Sequence, residues 1–241
     1  MRSIIVLLLF ILFFVLFLPV LLILMLIGKK NQKAARGKAF SIVQKFIKLE
    51  LLVSGTRLHA EGIENIPDEP VLFVGNHRSY FDVLCCISCM KHNTAFVGKK
   101  EIKRIPVMAQ WMELMGGVFI DRHNIKEGLK AILEAIEVVK SGTSVFIFPE
   151  GTRNRAENKD VLAEFKEGSL KIAQKAGCMI VPVAIKNTEY CYEMHKPFVK
   201  AADVRVSFLK PFYVSDIPEE QRKKPAAYTR QLIEEDLKRP M

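Results

Sequence analysis

In the stretch Ser144-Val145-Phe146-Ile147-Phe148-Pro149-Glu150-Gly151-Thr152-Arg153, four consecutive apolar residues run into a proline, a glycine and three polar groups. A short apolar run bounded by turn residues reads as a buried strand. Gly151 permits a tight turn behind it. The same figure recurs along the chain. Residues 71–75 (VLFVG) are followed by Asn76 and His77, 94–98 (TAFVG) by Lys99 and Lys100, and 117–120 (GVFI) by Asp121 and Arg122. Two more strands are expected at 180–185 (IVPVAI) and 204–209 (VRVSFL). Helical spacing of apolar residues falls at 81–91, 104–115, 125–140, 165–176 and 226–238, and the charged tail after Pro211 reads as a surface closure. Such alternation predicts an α/β fold with a mostly parallel or mixed central sheet flanked by helices. In open α/β sheets ligands sit outside the carboxyl ends of the strands. Four ends carrying a histidine, lysines, arginines and a glutamate should therefore meet at one crevice.

Composition narrows the class. Half of the 241 residues are hydrophobic and 26% are charged, which excludes a disordered chain. The net charge of +10 sits at one end: residues 1–60 carry nine basic side chains and one acid, Glu50, which leaves +2 for the other 181. A nucleic-acid binder spreads its basic residues over the folded domain, so no nucleic-acid partner is expected. The five cysteines, three of them within Cys85–Cys89, form no disulfide framework and fit a reducing compartment.

Ile4 to Ile27 is an unbroken apolar run of 24 residues. As a helix it is about 36 Å long, against about 30 Å for a bilayer core. It is too long for a signal-peptide core of about 7–15 residues, and basic residues follow it where a cleavage site would stand. The positive flank predicts a cytoplasmic position for the rest of the chain. Pro19 predicts a kink, so two geometries stay open, a span or entry into one leaflet. Residues 39–53 place Phe40, Val43, Phe46, Ile47 and Leu51 at helical spacing among lysines. That fits an interfacial amphipathic helix or a helix packed on the soluble domain. Three parts are expected: a hydrophobic membrane helix over 1–28, a basic amphipathic interfacial helix over 29–58, and a cytosolic α/β domain over 59–241.

His77 and Asp82 pair an imidazole with a carboxylate five residues on. Along a helix they would point about 140° apart, whereas a turn between strand and helix brings them into contact. Asp82 then accepts the Nδ1 proton and leaves Nε2 as a base. The alternative makes Asp82 a helix cap and His77 a turn residue. Arg153 offers a planar fork suited to phosphate, and Arg122 could clamp the same anion. A local Glu150–Arg153 ion pair is the other reading. The chain has no G-x-S-x-G elbow, no G-x-G-x-x-G and no Walker loop. Cys85, Cys86, Cys89 and His92 lack a second pair at zinc-site spacing, so no metal is expected.

With these motifs in order, the chain resembles the 1-acylglycerol-3-phosphate (lysophosphatidic acid) acyltransferases. The resemblance rests on Asn76-His77 to Asp82 (N-H-x-x-x-x-D), 117–122 (GVFIDR), 148–153 (FPEGTR), 181–185 (VPVAI) and the following 165–169 (FKEGS). It covers about residues 40–210. It implies acyl transfer from acyl-CoA or acyl-carrier protein, as co-substrate, to the sn-2 hydroxyl of lysophosphatidic acid, giving phosphatidic acid at a membrane. By that resemblance His77 is the general base, Asp82 orients it, and Lys99 (or its neighbour Lys100) faces the reacting carbonyl. Arg122, Glu150, Gly151 and Arg153 would bind the glycerol phosphate, Thr152 would support their loop, and Asn76 would shape the turn. No cofactor is implied. Another lyso-acceptor, a transacylase, and a non-catalytic lipid-binding scaffold are the competing readings.

Overall fold

The computed structural model describes residues 1–156 and 161–241. The expected strands are all present: β2 (Leu72–Gly75), β3 (Thr94–Lys99), β4 (Val118–Ile120), β5 (Ser144–Ile147), β6 (Ile180–Lys186) and β7 (Ala202–Phe208). A seventh, β1 (Thr56–Glu61), was not expected. Its sequence TRLHAE lacks an apolar run because it lies at the sheet margin with an exposed flank. The sheet order is β1-β7-β6-β2-β5-β3-β4. Every neighbouring pair is parallel except β6 and β7. The sheet is therefore mixed, with five strands aligned and β1 and β7 running against them.

Both faces are covered, which is why the strands read as continuous apolar runs. Alternation along each strand sorts its residues by face. Phe73 and Phe146 pack in one cluster, while Leu72, Val74, Val145 and Ile147 pack in the other. The first layer comprises α1 (Arg2–Leu16), α2 (Leu18–Lys30), α3 (Gln32–Ser54), α4 (Phe81–Cys89) and α5 (Met108–Leu114). The second comprises α6 (Ile125–Lys140), α7 (Glu167–Ala176) and α8 (Pro225–Leu237). Burying one Phe such as Phe146 contributes about 1.5–3 kcal/mol. Gly75 lets β2 approach that ring, since a Cβ there would lie 2.8 Å from Phe146 Cζ.

Three departures from the sequence reading have physical causes. The helix expected from 104 begins only at Met108, because Pro106 interrupts it and Val107 takes φ +65. The tail after Pro211 is more than a surface closure. Its helix α8 buries Ile233 and Leu237, and Asp236 pairs with the buried Arg205 at 3.2 Å. The apolar run is two helices, broken at Phe17 and bent by 51°, with Pro19 in the first turn of α2.

No single described helix is long and apolar enough to cross a membrane; the bent pair α1–α2 has the length and composition. The pair lies along α3, and Phe13 stacks on Phe46 at 4.1 Å. α3 buries Ala39, Phe40, Val43, Ile47 and Leu51 and ends at Ser54, with Gly55 as its left-handed cap.

Candidate active site

Because β2, β5, β3 and β4 are parallel, their carboxyl ends share one edge of the sheet. His77 lies two residues past the end of β2, and residues 77–80 turn into α4. Asp82 is the second residue of that helix, so its carboxylate folds back over the turn. Asp82 Oδ2 accepts His77 Nδ1 at 2.7 Å, Arg78 N at 2.7 Å and Ser79 N at 2.8 Å. Oδ1 accepts the Thr188 hydroxyl. The carboxylate thus touches the imidazole and also holds the amides of the turn before α4; the N-cap position is Tyr80, so Asp82 is not the helix cap. As an acceptor it assigns the proton to Nδ1 and leaves Nε2 with its lone pair. No described group bonds Nε2.

The loop after β5 encloses the same residue. Phe148 stacks on the His77 ring at 4.2 Å with planes 21° apart. Glu150 Oε1 accepts the His77 backbone N–H at 2.7 Å, and the Asn154 N–H donates to the His77 carbonyl at 2.7 Å. Gly151, at φ +74, makes the turn that closes with its N–H on the Phe148 carbonyl at 3.0 Å. Asn76 shapes the other side: its amide exchanges two hydrogen bonds of 2.8 Å with the backbone of Ile185 on β6.

Glu150 departs from the expected role. Its second oxygen accepts Ala163 N at 3.0 Å, so both oxygens face backbone amides inside the protein. Burial pushes this carboxyl up and the two amides pull it back. Glu150 braces the histidine turn, and a carboxylate so placed is no ligand for a phosphate. Nor does it pair with Arg153. That guanidinium bonds Glu193 Oε1 at 2.9 Å and lies 3.9 Å over the Tyr80 ring. Glu193 also accepts the Ser79 hydroxyl and Tyr80 N.

The lysines and Arg122 form a second group further along the edge. With strands about 4.8 Å apart, the ends of β3 and β4 lie roughly 10 and 14 Å from that of β2. Lys99 pairs with Glu101 at 3.0 Å and Lys100 with Asp121 at 3.2 Å. Burial lowers the Arg122 guanidinium below its ordinary value, and its Nε has no partner among the described residues. Arg122 stands just past the end of β4 and Arg153 on the loop after β5, and no described contact joins them. Thr152 is exposed on its loop.

Sequence reasoning missed Thr188 and Glu193. Both lie on the connection between β6 and β7, more than 100 residues from the turn they support. No local pattern marks them.

The α/β sheet thus carries a carboxylate–imidazole pair, Asp82 and His77, at the carboxyl edge of its parallel strands. The chain belongs to the acyltransferase family, whose model, described as Acyltransferase, matches residues 57–186. It is 36% identical over 151 residues to the 1-acyl-sn-glycerol-3-phosphate acyltransferase of Borreliella burgdorferi, covering 62% of this chain and 59% of that protein. It is 35% identical over 158 residues to a chloroplastic protein of the same name from Brassica napus, covering 64% and 45%. The match thus spans only about half the length of these relatives. The crystal structure of the 1-acyl-sn-glycerophosphate (LPA) acyltransferase PlsC from Thermotoga maritima superposes with a TM-score of 0.72 at 24% identity. It covers 98% of this chain and 97% of its own, which shows the shared fold.

Proposed function

We propose that the protein transfers a fatty acyl group from an acyl thioester to the sn-2 hydroxyl of 1-acylglycerol 3-phosphate, giving phosphatidic acid. The observation that carries this is the His77–Asp82 pair clasped by the 148–153 loop, in a chain whose curated relatives bear that activity in their names. His77 Nε2 takes the hydroxyl proton as the oxygen attacks the thioester carbonyl. A positioned imidazole supplies roughly 10²–10⁴ in rate. Lys99 or a backbone N–H stabilises the tetrahedral oxyanion. Collapse breaks the C–S bond, and the thiolate recovers the proton from the imidazolium. Arg122, Arg153 and the Gly151 turn are the proposed contacts of the acceptor phosphate, with Glu150 as a brace behind them. The donor is acyl-CoA or acyl-carrier protein.

The reaction belongs at a membrane. Exposing one acyl chain of about 15 methylenes costs on the order of 12 kcal/mol, which a site fixed at the bilayer avoids. The N-terminal helices supply the attachment. Ile4, Leu7, Leu8, Ile11, Val15, Leu22, Ile23 and Leu26 are all exposed, an apolar surface that a soluble monomer does not carry. Both ends of this segment return to the α/β body. A Cβ on Gly55 would lie 3.2 Å from Arg2 Cζ, and one on Gly28 would lie 3.7 Å from Leu114 Cδ1. A segment held at both ends by the same domain enters one leaflet and does not cross. The lysines at 29, 30 and 33 then meet anionic headgroups on the cytoplasmic side.

The test is direct. The purified chain is given lysophosphatidate with acyl-CoA or with acyl-carrier protein, and phosphatidate mass and free thiol are measured. His77→Ala should abolish both products with an unchanged circular dichroism spectrum. Absence of phosphatidate with either donor, or a fully active His77→Ala variant, overturns the proposal.

A further inference from the structure

The connection between β6 and β7 has an outer side that the catalytic reading leaves unused. Its inner side supports the site through Thr188 and Glu193. Its outer side displays Met194 at 56% exposure and Phe198 at 62%, with Lys196 and Lys200 also exposed. These side chains sit on ordered backbone: Phe198 N bonds the His195 carbonyl at 2.8 Å, and Lys200 N bonds the Cys191 carbonyl at 2.9 Å. The segment is joined to α1, since the Val199 N–H donates to Ser3 Oγ at 2.8 Å. Ala201 and Arg2 both close on Gly55. Next to this junction Met1 and Ile4 are exposed at 99% and 63%.

We infer that residues 194–200 form a second membrane contact, continuous with α1, in which Phe198 and Met194 enter the headgroup layer and Lys196 and Lys200 meet anionic lipid. The inference rests on the proposed attachment of the N-terminal helices to the bilayer. A phenyl ring and a thioether held outward beside lysines match the interfacial layer, where apolar bodies bury and ammonium groups stay wet. Continuity with the lipid-facing end of α1 favours a bilayer over a protein partner. The consequence is positional. The wall that holds Arg153 and supports Asp82 lies against the membrane surface, so an acceptor reaches the crevice without leaving the lipid.

The experiment uses the full chain with Trp111, its one tryptophan, replaced by Phe. Two reporters are compared, Phe198→Trp and, as a control on α1, Leu8→Trp. Vesicles of phosphatidylcholine and phosphatidylglycerol are added with plain or brominated chains. Emission from position 198 should shift to the blue and be quenched by the brominated lipid, as at position 8. Replacing Lys196 and Lys200 together by Gln should weaken binding to anionic vesicles roughly thirty-fold, with little effect on neutral ones. Quenching at position 8 but not at 198 refutes the second contact and leaves the attachment standing. Quenching at neither removes both. Shielding of position 198 by an acidic acyl-carrier protein but not by vesicles also overturns the inference.

Discussion

The Phe148 ring lies stacked against the His77 imidazole, 4.2 Å between centroids, and rests in turn on Phe146 at 4.8 Å. Asp82 fixes one edge of the imidazole and Phe148 fixes its plane, so together they set the direction of Nε2. Catalysis by proton transfer is sensitive to that direction. Phe148→Leu should lower kcat about tenfold with both substrate KM values held, and Phe148→Tyr, which keeps the ring, should retain most of the rate. Steady-state kinetics on the two variants decides it; equal rates would remove the positioning role.

Thr188 makes a second prediction. Its hydroxyl is the donor on Asp82 Oδ1. Thr188→Val keeps the shape and leaves a buried carboxylate oxygen unpaired, at a cost of about 1–3 kcal/mol. The variant should melt earlier and turn over more slowly, and Thr188→Ser should restore both. A serine variant no better than valine would count against the hydrogen bond.

Arg153 is held by an anion on one side and a ring face on the other. Arg153→Ala should raise the acceptor KM about tenfold or more while the donor KM stays put. Lysine should not rescue it, because an ammonium lacks the planar fork that meets Glu193, the Tyr80 hydroxyl and the Tyr80 ring together. Acceptor titrations at fixed donor test this, and an unchanged acceptor KM would exclude Arg153 from headgroup binding.

Glu50 gives a pH dependence. It is buried on α3, and neither carboxylate oxygen has a partner among the described residues. Burial pushes its carboxyl up to about 7, against roughly 4.3 in an unfolded chain. The folded form therefore keeps a proton that the unfolded form releases. The associated stability, on the order of 3 kcal/mol, is fully present below about pH 4 and is lost as pH rises through about 7. Glu50→Gln should flatten this part of the melting-temperature profile in detergent. A wild-type profile already flat between pH 5 and 7 would show that the carboxyl is solvated.

Much of the architecture was legible before folding. The strand runs at 71–75, 94–98, 117–120, 144–148 and 180–185 stood out because a sheet covered on both faces requires unbroken apolar residues. Helix α6 matched its expected bounds because Asn124 caps it, with its side chain accepting from Lys126 and Glu127. The strand β1 was hidden because a marginal strand needs no apolar run, and Arg205 was hidden because its buried partner lies in a different element.

The site divides along the same line. The residues at 77, 82 and 148–153 are carried by two tight turns at adjacent strand ends, each closed by local hydrogen bonds, from the Arg78 and Ser79 amides to Asp82 and from the Gly151 amide to the Phe148 carbonyl. That much was decided by amino-acid order. Which groups those turns meet was decided by the sheet: β2 beside β5 sets Glu150 under His77, and β2 beside β6 delivers Thr188 and Glu193. A carboxylate reads the same in sequence whether it ends up against a backbone amide or a guanidinium. Only the packing of strands distant along the chain tells Glu150 the brace from Glu193 the partner of Arg153.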